Sequence, residues 1–367
     1  MADAKTIQVA EITDFTDGGS TVASIFDVDG VIASKANPGT FYVVPGDQGD
    51  WNEERAAEED TIFGANFTSN QPTLGSFTVS CNARYRGFAG YNSNLLRPTE
   101  STTGKTVTLT QEEGLIYKAP LADTPWDWNE DVVVKVDGTT STAIEWIDYL
   151  FGRVKFVEGT TITAPVTADV EVMSLETYGN ATDFDLSQTA NITETTSFGN
   201  AQANGGWQEN KPSLREGDIS LNAFYRHDSE YKEQLRDGDT VLVEIQLDGD
   251  SHSFARGIYR VSSVNNSGGV GGDETSSVDL VLSVPNNVEF PFAWHHDAQS
   301  TIPTALKTIL TAWERAEPIV VEYYPFGTDQ DGEKGIVWTT DVSLSSSVTG
   351  LVEANFTGTG TGAPVSI

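Results

Sequence analysis

Apolar residues in this chain come in short runs, and the clearest runs alternate with polar residues. Between residues 76 and 85 every second position is apolar or aromatic, beginning at Phe77. This period of two predicts a strand with one buried face. Residues 219–225 repeat the alternation, and β-branched runs occupy 132–136 and 161–175. We therefore predict a mainly β protein with few helices.

Two segments have helical spacing instead. Residues 229–236 follow a capping aspartate, and residues 301–316 place their apolar side chains three and four positions apart before Pro318. Residues 143–151 fit either period, and the Gly152 turn after them favours a strand pair over a helix. Two polar passages are interpreted as a loop, 47–60, and as a connecting passage, 100–131.

Part of the strand pattern occurs twice with matching residues. Pro-Thr-Leu at 72–74 corresponds to Pro-Ser-Leu at 212–214, and Asn-Ala-Arg-Tyr-Arg at 82–86 corresponds to Asn-Ala-Phe-Tyr-Arg at 222–226. A Phe-Gly pair precedes each set, and a Leu-Arg pair follows each set. Chance seldom keeps so many identities in order, so we infer one structural unit that is used twice.

A second repeat in the last third of the chain predicts how the two units are arranged. Val-Glu at 243–244 and Gly-Ile at 257–258 align without gaps with the same pairs at 321–322 and 335–336. The predicted domains are a split first unit of residues 1–120 and 291–367, an inserted second unit of residues 132–290, and a connection at 121–131. Each unit is predicted to be a β-sandwich or barrel with one helix. Two consecutive domains with a C-terminal appendage are the alternative.

Acidic residues outnumber basic ones along the whole chain. There are 54 Asp and Glu residues against 21 Lys and Arg residues, for a formal net charge of −33. A protein that grips nucleic acid needs clustered Lys and Arg, so this composition argues against tight DNA binding. The even spread of acids is typical of halophile proteins, whose self-repulsion is screened when the Debye length falls to about 3 Å near 1 M salt. We expect a haloarchaeal setting, with an ordinary acidic mesophilic protein as the alternative.

No pattern of residues indicates an active site. Residues 295–297 (His-His-Asp) have no third metal ligand at a typical spacing, and the lone Cys81 rules out an intramolecular disulfide. The Asp-rich turns 27–30 and 329–333 begin like calcium loops but lack the glutamate at the twelfth position. No run approaches the roughly 20 apolar residues of a membrane span. We therefore expect no catalysis, no cofactor and no bound metal.

The order of several elements resembles the major tail tube proteins of long-tailed, siphovirus-like viruses. The segments that carry this resemblance are the small-residue loop opening at 195–199, the strand 219–225, the runs 241–245 and 257–264, and the closing strands within 338–360. Through the internal repeat the likeness covers most of the chain and leaves 100–131 outside it.

This resemblance implies a structural virion protein and not an enzyme. Members of the family form rings around a channel, and the rings stack into the tube through which the genome is ejected. Two units per chain would give a trimer with pseudo-sixfold symmetry, and a true hexamer is the alternative. The implied partners are tail terminator and tail tip proteins, with viral DNA passing through without tight binding. The protein would be assembled in the host cytoplasm and would lie in the virion tail.

Two sets of residues are expected to carry this role. The first is an inter-ring docking loop, whose small residues predict an arm that becomes ordered on a partner. This loop comprises Asn200, Ala201, Gln202, Ala203, Asn204, Gly205, Gly206 and Trp207, with Phe67 as the aromatic anchor of the first unit. The second set lies on strands expected at a subunit interface or at the lumen, and comprises Phe77, Val79, Tyr85, Ile219, Leu221 and Tyr225.

Two other functions are left open by the sequence. A surface adhesin or carbohydrate-binding β-sandwich would use exposed aromatics such as Trp126, Trp128 and Trp207 as a binding platform. An acidic glycosidase would need a carboxylate pair, which the sequence does not single out. Oligomeric state separates the adhesin from the tube protein, because an adhesin module would stay monomeric in high salt.

Overall fold

A computed structural model describes most of the chain, and strands dominate it, which confirms the predicted mainly β class. The described residues are 6–15, 36–59, 70–85, 93–96, 102–175, 180–197, 206–224, 238–247, 252–267, 275–326, 328, 331–347 and 352–367.

The strands are numbered in chain order. The first eleven are β1 (Thr6–Phe15), β2 (Ala36–Pro38), β3 (Tyr42–Val43), β4 (Gly46–Glu59), β5 (Asn70–Tyr85), β6 (Ser93–Leu96), β7 (Thr102–Glu113), β8 (Ile116–Lys118), β9 (Val133–Val136), β10 (Thr139–Thr140) and β11 (Ile144–Asp148). The others are β12 (Arg153–Phe156), β13 (Val166–Met173), β14 (Asn180–Glu194), β15 (Asn210–Phe224), β16 (Thr240–Gln246), β17 (Ser253–Ser267), β18 (Thr275–Leu282), β19 (Phe292–His296), β20 (Ile319–Tyr324), β21 (Glu333–Ser347) and β22 (Val352–Ser366).

Helix α1 (Thr304–Arg315) is the one α-helix in the described part of the chain, and a single 3-10 turn lies at Leu121–Asp123. Helix α1 confirms the helix predicted at 301–316. Its apolar residues, such as Leu306 and Trp313, are buried along one stripe, as their spacing requires. The helix predicted at 229–236 lies outside the described residues.

The chain divides into two compact units. Unit 1 consists of Met1–Gly87, Asp185–Gly217 and Thr301–Ile367, and unit 2 consists of Phe88–Phe184 and Asp218–Ser300. Strands β14 and β15 therefore each contribute residues to both units. These bounds differ from the predicted ones in three places: residues 88–131 and 291–300 belong to unit 2, and residues 185–217 belong to unit 1. The origin of both units from one duplicated module stays a prediction.

Each unit contains a sheet with the same order of strands. In unit 1, β20 and β21 form an antiparallel pair, β22 pairs with β21, and β5 pairs with β22. In unit 2, β16, β17, β18 and β15 follow in the same order and are also antiparallel. A further strand pairs with the outer edge of each sheet, β1 beside β20 and β6 beside β16. The order β5-β22-β21-β20-β1 is thus matched by β15-β18-β17-β16-β6.

The two sheets also share their cross-strand register. One row of paired residues is Cys81, Phe356 and Val342 in unit 1, and the equivalent row in unit 2 is Leu221, Val278 and Val264. A β-bulge interrupts β17 at Ser262 and β21 at Thr340, at the same distance from the aligned residues Gly257 and Gly335. A bulge strengthens the local twist, so both sheets bend at the same place.

The aligned residues of the second sequence repeat face each other in the same way in both units. Val243 lies opposite Gly257, and Val321 lies opposite Gly335. The gap-free alignment of these segments therefore corresponds to equivalent strand pairs.

The passage predicted as a loop at 47–60 is a strand, so that prediction is wrong. β4 runs from Gly46 to Glu59 and pairs with β5 along its length. Its polar and acidic side chains at 52–55 are exposed, as suits a strand at the edge of a sheet. Because those side chains are charged on both faces, the sequence shows no alternation.

The passage 100–131, interpreted as a connection, contains two strands between residues 102 and 118. The narrower connection at 121–131 stays a prediction. β7 and β8 belong to a seven-stranded sheet of unit 2, in the order β10-β9-β13-β7-β8-β12-β11. In β7 the buried Val107 and Leu109 alternate with the exposed Thr106 and Thr108. The strand pair favoured for residues 143–156 is confirmed as β11 and β12 of this sheet.

Candidate functional site

The strand residues predicted for an interface or a lumen are core residues. Phe77 and Val79 on β5, and Ile219 and Leu221 on β15, are buried among the chain's own side chains. The Phe77 ring stacks on Trp51 with their centroids 4.7 Å apart. The prediction that these four side chains face a channel or a partner is therefore wrong, since the alternation places them on the inner face of the sheet.

The opposite face of the same strands is polar. In unit 1 one cross-strand row of this face consists of Ser80, Thr357 and Asp341. In unit 2 the equivalent row consists of Ser220, Asp279 and Ser263. All six residues are partly exposed. Each row carries one carboxylate among hydroxyl groups, and the carboxylate lies on a different strand in each unit.

The two carboxylates have pKa values shifted in opposite directions. Hydrogen bonds from Ser263 Oγ (2.7 Å) and Ser220 Oγ (2.8 Å) lower the pKa of Asp279. Burial raises the pKa of Asp341. The Asp279 carboxylate therefore keeps its negative charge to a lower pH than the Asp341 carboxylate does.

Trp207, the aromatic residue of the predicted docking loop, is packed inside unit 1. It is 9% exposed, its ring meets Phe77 edge to face with centroids 6.1 Å apart, and the Arg55 guanidinium lies 4.9 Å from its centroid. Gly75 leaves room for the indole, because a Cβ there would lie 2.9 Å from a ring carbon. The prediction that Trp207 is an exposed anchor for a partner is therefore wrong.

Of the other predicted site residues, the structure describes Gly206 and the backbone of Tyr85. Gly206 has a φ of 85°, and its carbonyl accepts a hydrogen bond from the Gly75 N–H at 2.6 Å. β5 extends to Tyr85, whose backbone pairs with Val352. The predicted residues outside the described part of the chain are 200–205, Phe67 and Tyr225, and their roles stay predictions.

Residues 206–215, here called the docked segment, are hydrogen-bonded to two strands of unit 1. The Gln208 N–H donates to Gly75 O at 2.8 Å, and Gln208 O accepts from the Gly362 N–H at 2.8 Å. The Asn210 N–H donates to Thr361 Oγ1 at 3.0 Å, and its side-chain amide donates to the carbonyl of residue 360 at 2.8 Å. The segment is thus bound to β5 on one side and to β22 on the other.

Arg215 fixes the far end of the docked segment. Its Nη1 donates to the Glu314 carbonyl at 2.6 Å, and its guanidinium lies 5.4 Å from the centroid of the Trp313 ring. Burial lowers the pKa of Arg215. Sequence reasoning missed Asn210 and Arg215, although Asn210 belongs to an Asn-x-Pro pattern that also occurs at 70–72.

An acid–base pair occupies the same register position in both units. In unit 2, Glu244 lies opposite Arg256, and the guanidinium donates to Glu244 Oε2 through Nη2 at 2.6 Å and Nε at 3.0 Å. In unit 1, Glu322 lies opposite Lys334, with Nζ and Oε1 3.6 Å apart. The Arg256 side chain is 3% exposed, whereas the unit 1 pair is less deeply buried.

Arg256 also joins the two sheets of unit 2. Its Nη1 donates to Thr124 Oγ1 at 3.0 Å and to the Leu150 carbonyl at 2.6 Å, both next to the seven-stranded sheet. Its guanidinium lies 5.2 Å from the Phe151 ring centroid and 5.0 Å from that of Phe254. Every face of this buried cation is therefore satisfied by a carboxylate, a hydroxyl, a carbonyl or an aromatic ring.

Three of the chain's four histidines lie close together in unit 2. His252 Nδ1 is 2.6 Å from Asp297 Oδ2, and His296 Nδ1 is 3.2 Å from Ser253 Oγ. Ser253 is fully buried, and the histidine that it contacts is not the one held by Asp297. The cluster therefore lacks the relay of a Ser-His-Asp triad. Among the described residues, no group of three or more His, Cys, Asp or Glu side chains could hold a metal ion.

The third histidine of this cluster, His295, lies against two aromatic rings. Its ring stacks on Phe151 and contacts Phe254, with centroids 5.8 Å and 4.8 Å away. Its pKa is lowered to about 4, mainly by burial and also by the charges of Lys118, Arg256 and Arg153, against the opposing effect of Asp297. At neutral pH the folded protein therefore contains an uncharged imidazole at this position.

The protein is expected to lose stability through His295 as the pH falls from about 6.5 towards 4. The folded-state pKa lies below that of the unfolded chain, so over this window the unfolded chain binds a proton that the folded chain excludes. His295→Phe keeps the ring stacking and removes the proton site. Thermal unfolding at pH 7 and pH 5 in the same high salt should show a smaller loss for the variant. Equal losses in both proteins would contradict this assignment.

The aromatic platform required by an adhesin is absent at the predicted positions. Trp126 and Trp128 are buried in the core of the seven-stranded sheet, and Trp207 is buried in unit 1. The prediction that these three rings are exposed is wrong. No described helix combines the length and hydropathy needed to cross a membrane.

Comparison with solved structures gives weak likenesses to parts of gene transfer agent particles. No protein-family model and no curated protein matches the chain. Two solved structures that it is similar to are the tail of an empty gene transfer agent (GTA) particle with C6 symmetry and the virion of a native gene transfer agent particle. The first has 18% identity, a TM-score of 0.27, and covers 34% of this chain and 88% of its own. The second has 19% identity, a TM-score of 0.26, and covers 30% and 85%. Likenesses this weak establish neither the fold nor the function of this chain.

Proposed function

We propose that this protein is a structural virion protein, the major subunit of a viral tail tube, and that it is not an enzyme. The observation that carries the proposal is the matched pair of sheets, which share strand order, register and bulge within one chain. A chain with two equivalent modules suits a closed cyclic assembly, in which each module repeats the contacts of the next. Three chains would place six modules around the axis.

The channel wall in this proposal is the polar face of the matched sheets. The sequence instead predicted apolar strand residues, such as Phe77 and Leu221, at the channel or at an interface. The rows through Ser80 and Ser220 carry hydroxyl groups and one carboxylate each. Hydroxyl groups hydrate well, and carboxylates repel phosphate, so DNA could slide past such a wall without binding tightly. The formal net charge of −33 extends this repulsion over the whole subunit.

Electron microscopy of the purified full chain tests the proposal. In salt of about 1 M or more, where self-repulsion is screened, the protein is expected to form rings or tubes with a central channel. The same sample at low salt should dissociate. A particle that stays monomeric across this salt range and at high protein concentration would refute the tail tube function and favour a monomeric binding module.

A further inference from the structure

The docked segment of unit 1 has a counterpart in the sequence. Residues 67–74 read Phe-Thr-Ser-Asn-Gln-Pro-Thr-Leu, and residues 207–214 read Trp-Gln-Glu-Asn-Lys-Pro-Ser-Leu. The aromatic residue, the Asn, the Pro and the Leu keep the same spacing in both. We call residues 67–74 the counterpart segment; its first three residues lie outside the described part of the chain.

The surface that receives the docked segment also has a counterpart. In unit 1 this surface is the end of β22, where Thr361 pairs with Ile336. In unit 2 the Ser283 N–H donates to Ile258 O at 2.9 Å, so Ser283 takes the place of Thr361 just beyond β18. By the same register Val284 corresponds to Gly362, whose N–H donates to Gln208 in the docked segment.

The two surfaces differ in what covers them. Thr361 is 1% exposed beneath the docked segment. On unit 2, Val284 is 64% exposed and Val281 is 44% exposed. A cavity of about 370 Å³ lies beside Val281, lined also by Arg260 and Ser262. Val284 is thus open where its counterpart Gly362 is buried beneath the docked segment.

A strand edge beside this surface is open as well. In unit 1, β22 pairs with β21 along one edge, and β20 and β14 are the other neighbours of β21. In unit 2, β16 pairs with β17 only as far as Arg260, and β18 covers the other edge. Over residues 262–267 no other described strand pairs with β17 on the β16 side. An open edge of this kind accepts a strand from another chain by β-augmentation.

We propose that the end of β18 on unit 2, around Val281, Ser283 and Val284, is the docking site for the counterpart segment of a second copy of this chain. Asn70 would then bind at Ser283 as Asn210 binds at Thr361, and Phe67 would provide the aromatic contact. One segment is docked within the chain and the other joins the next chain, so each chain gives one segment and receives one. Such a head-to-tail contact closes into a ring when its rotation allows. The inference rests on the proposed function in one respect, namely that copies of the chain associate.

Engineered cysteine pairs in the full chain test this contact between a segment and the end of β18 or β22, which we call the joint. Asn210→Cys with Thr361→Cys marks the joint within the chain and should give a disulfide inside one monomer. Asn70→Cys with Ser283→Cys marks the equivalent joint between chains. After oxidation in high salt, the Asn70/Ser283 double variant should run as covalent dimers and a covalently closed oligomer on a denaturing, non-reducing gel. Each single variant should run there as a monomer. An intrachain disulfide in the Asn70/Ser283 variant, or none at all, would overturn the proposal if the Asn210/Thr361 pair cross-links.

Surface variants give a second readout that does not depend on disulfide geometry. Val284→Asp should lower the assembled fraction by about tenfold or more, because it would bury a charge at the joint, and should leave monomer stability unchanged. Val157→Asp is the matched control, since Val157 is 46% exposed on the same unit and lies outside the joint. Equal assembly of both variants would contradict the docking site.

The outcomes also separate this inference from the proposed function. Rings or tubes that form without Asn70–Ser283 cross-links would retain the tube function and reject this joint. Cross-linked closed oligomers that never stack into tubes would retain the joint and reject the tube.

Discussion

Replacing Arg256 by methionine is expected to lower the free energy of unfolding of unit 2 by about 3–5 kcal/mol. The change leaves the Glu244 carboxylate buried without its cation and removes the donors to Thr124 and Leu150. Arg256→Lys should recover only part of the loss, because an ammonium cannot reproduce the fork that reaches all three acceptors. Chemical denaturation in high salt measures the effect, and hydrogen exchange read by mass spectrometry assigns it to β16 and β17.

Lys334→Met in unit 1 is the matched control for this prediction. Lys334 occupies the equivalent register position, but its ammonium is 3.6 Å from Glu322 and its partner also accepts a hydrogen bond from Tyr324. Its removal is expected to cost about 1–2 kcal/mol, less than that of Arg256, because Glu322 keeps the hydrogen bond from Tyr324. A loss as large as that of Arg256→Met would mean that burial does not set the difference between the two pairs.

Trp207→Ala is expected to destabilise unit 1 by about 3–5 kcal/mol and to release the docked segment. The substitution empties the space between Phe77, Gly75 and Arg55 that the indole fills. Denaturation monitored by far-UV circular dichroism measures the stability, and limited proteolysis after residue 205 measures the release. Trp207→Phe should lie between the wild type and the alanine variant.

Phe326→Ala is a suitable control for Trp207→Ala. Phe326 is an aromatic residue of the same unit but is largely exposed, so its loss should stay within about 0.5 kcal/mol. If Trp207→Ala changed stability no more than Phe326→Ala, and proteolysis were unchanged, the docked segment would not be held by its tryptophan.

The sequence predicted those features that depend on local pattern. The stripe of Leu306 and Trp313 predicted α1, and the alternation from Phe77 predicted β5. The gap-free alignment around Gly257 and Gly335 predicted equivalent strand pairs, because a register that is kept by both repeats leaves the same residues opposite each other.

Features that depend on contacts between distant residues could not be predicted in this way. Alternation shows which face of β5 is apolar, but not whether that face meets the chain's own core or a partner. Trp207 stands among small residues, and its burial depends on Gly75 far away in sequence. The charged edge strand β4 carries no alternation, and the seven-stranded sheet has no counterpart in the repeat that could reveal it.

The central claim is that two equivalent modules in each chain complete a ring with those of neighbouring chains. A cryo-electron microscopy reconstruction of the assembly in high salt tests it most directly. The account predicts a closed ring in which the Ser80 row of unit 1 and the Ser220 row of unit 2 line the channel at the same radius. A discrete monomer, or a ring with either row on its outer surface, would contradict it.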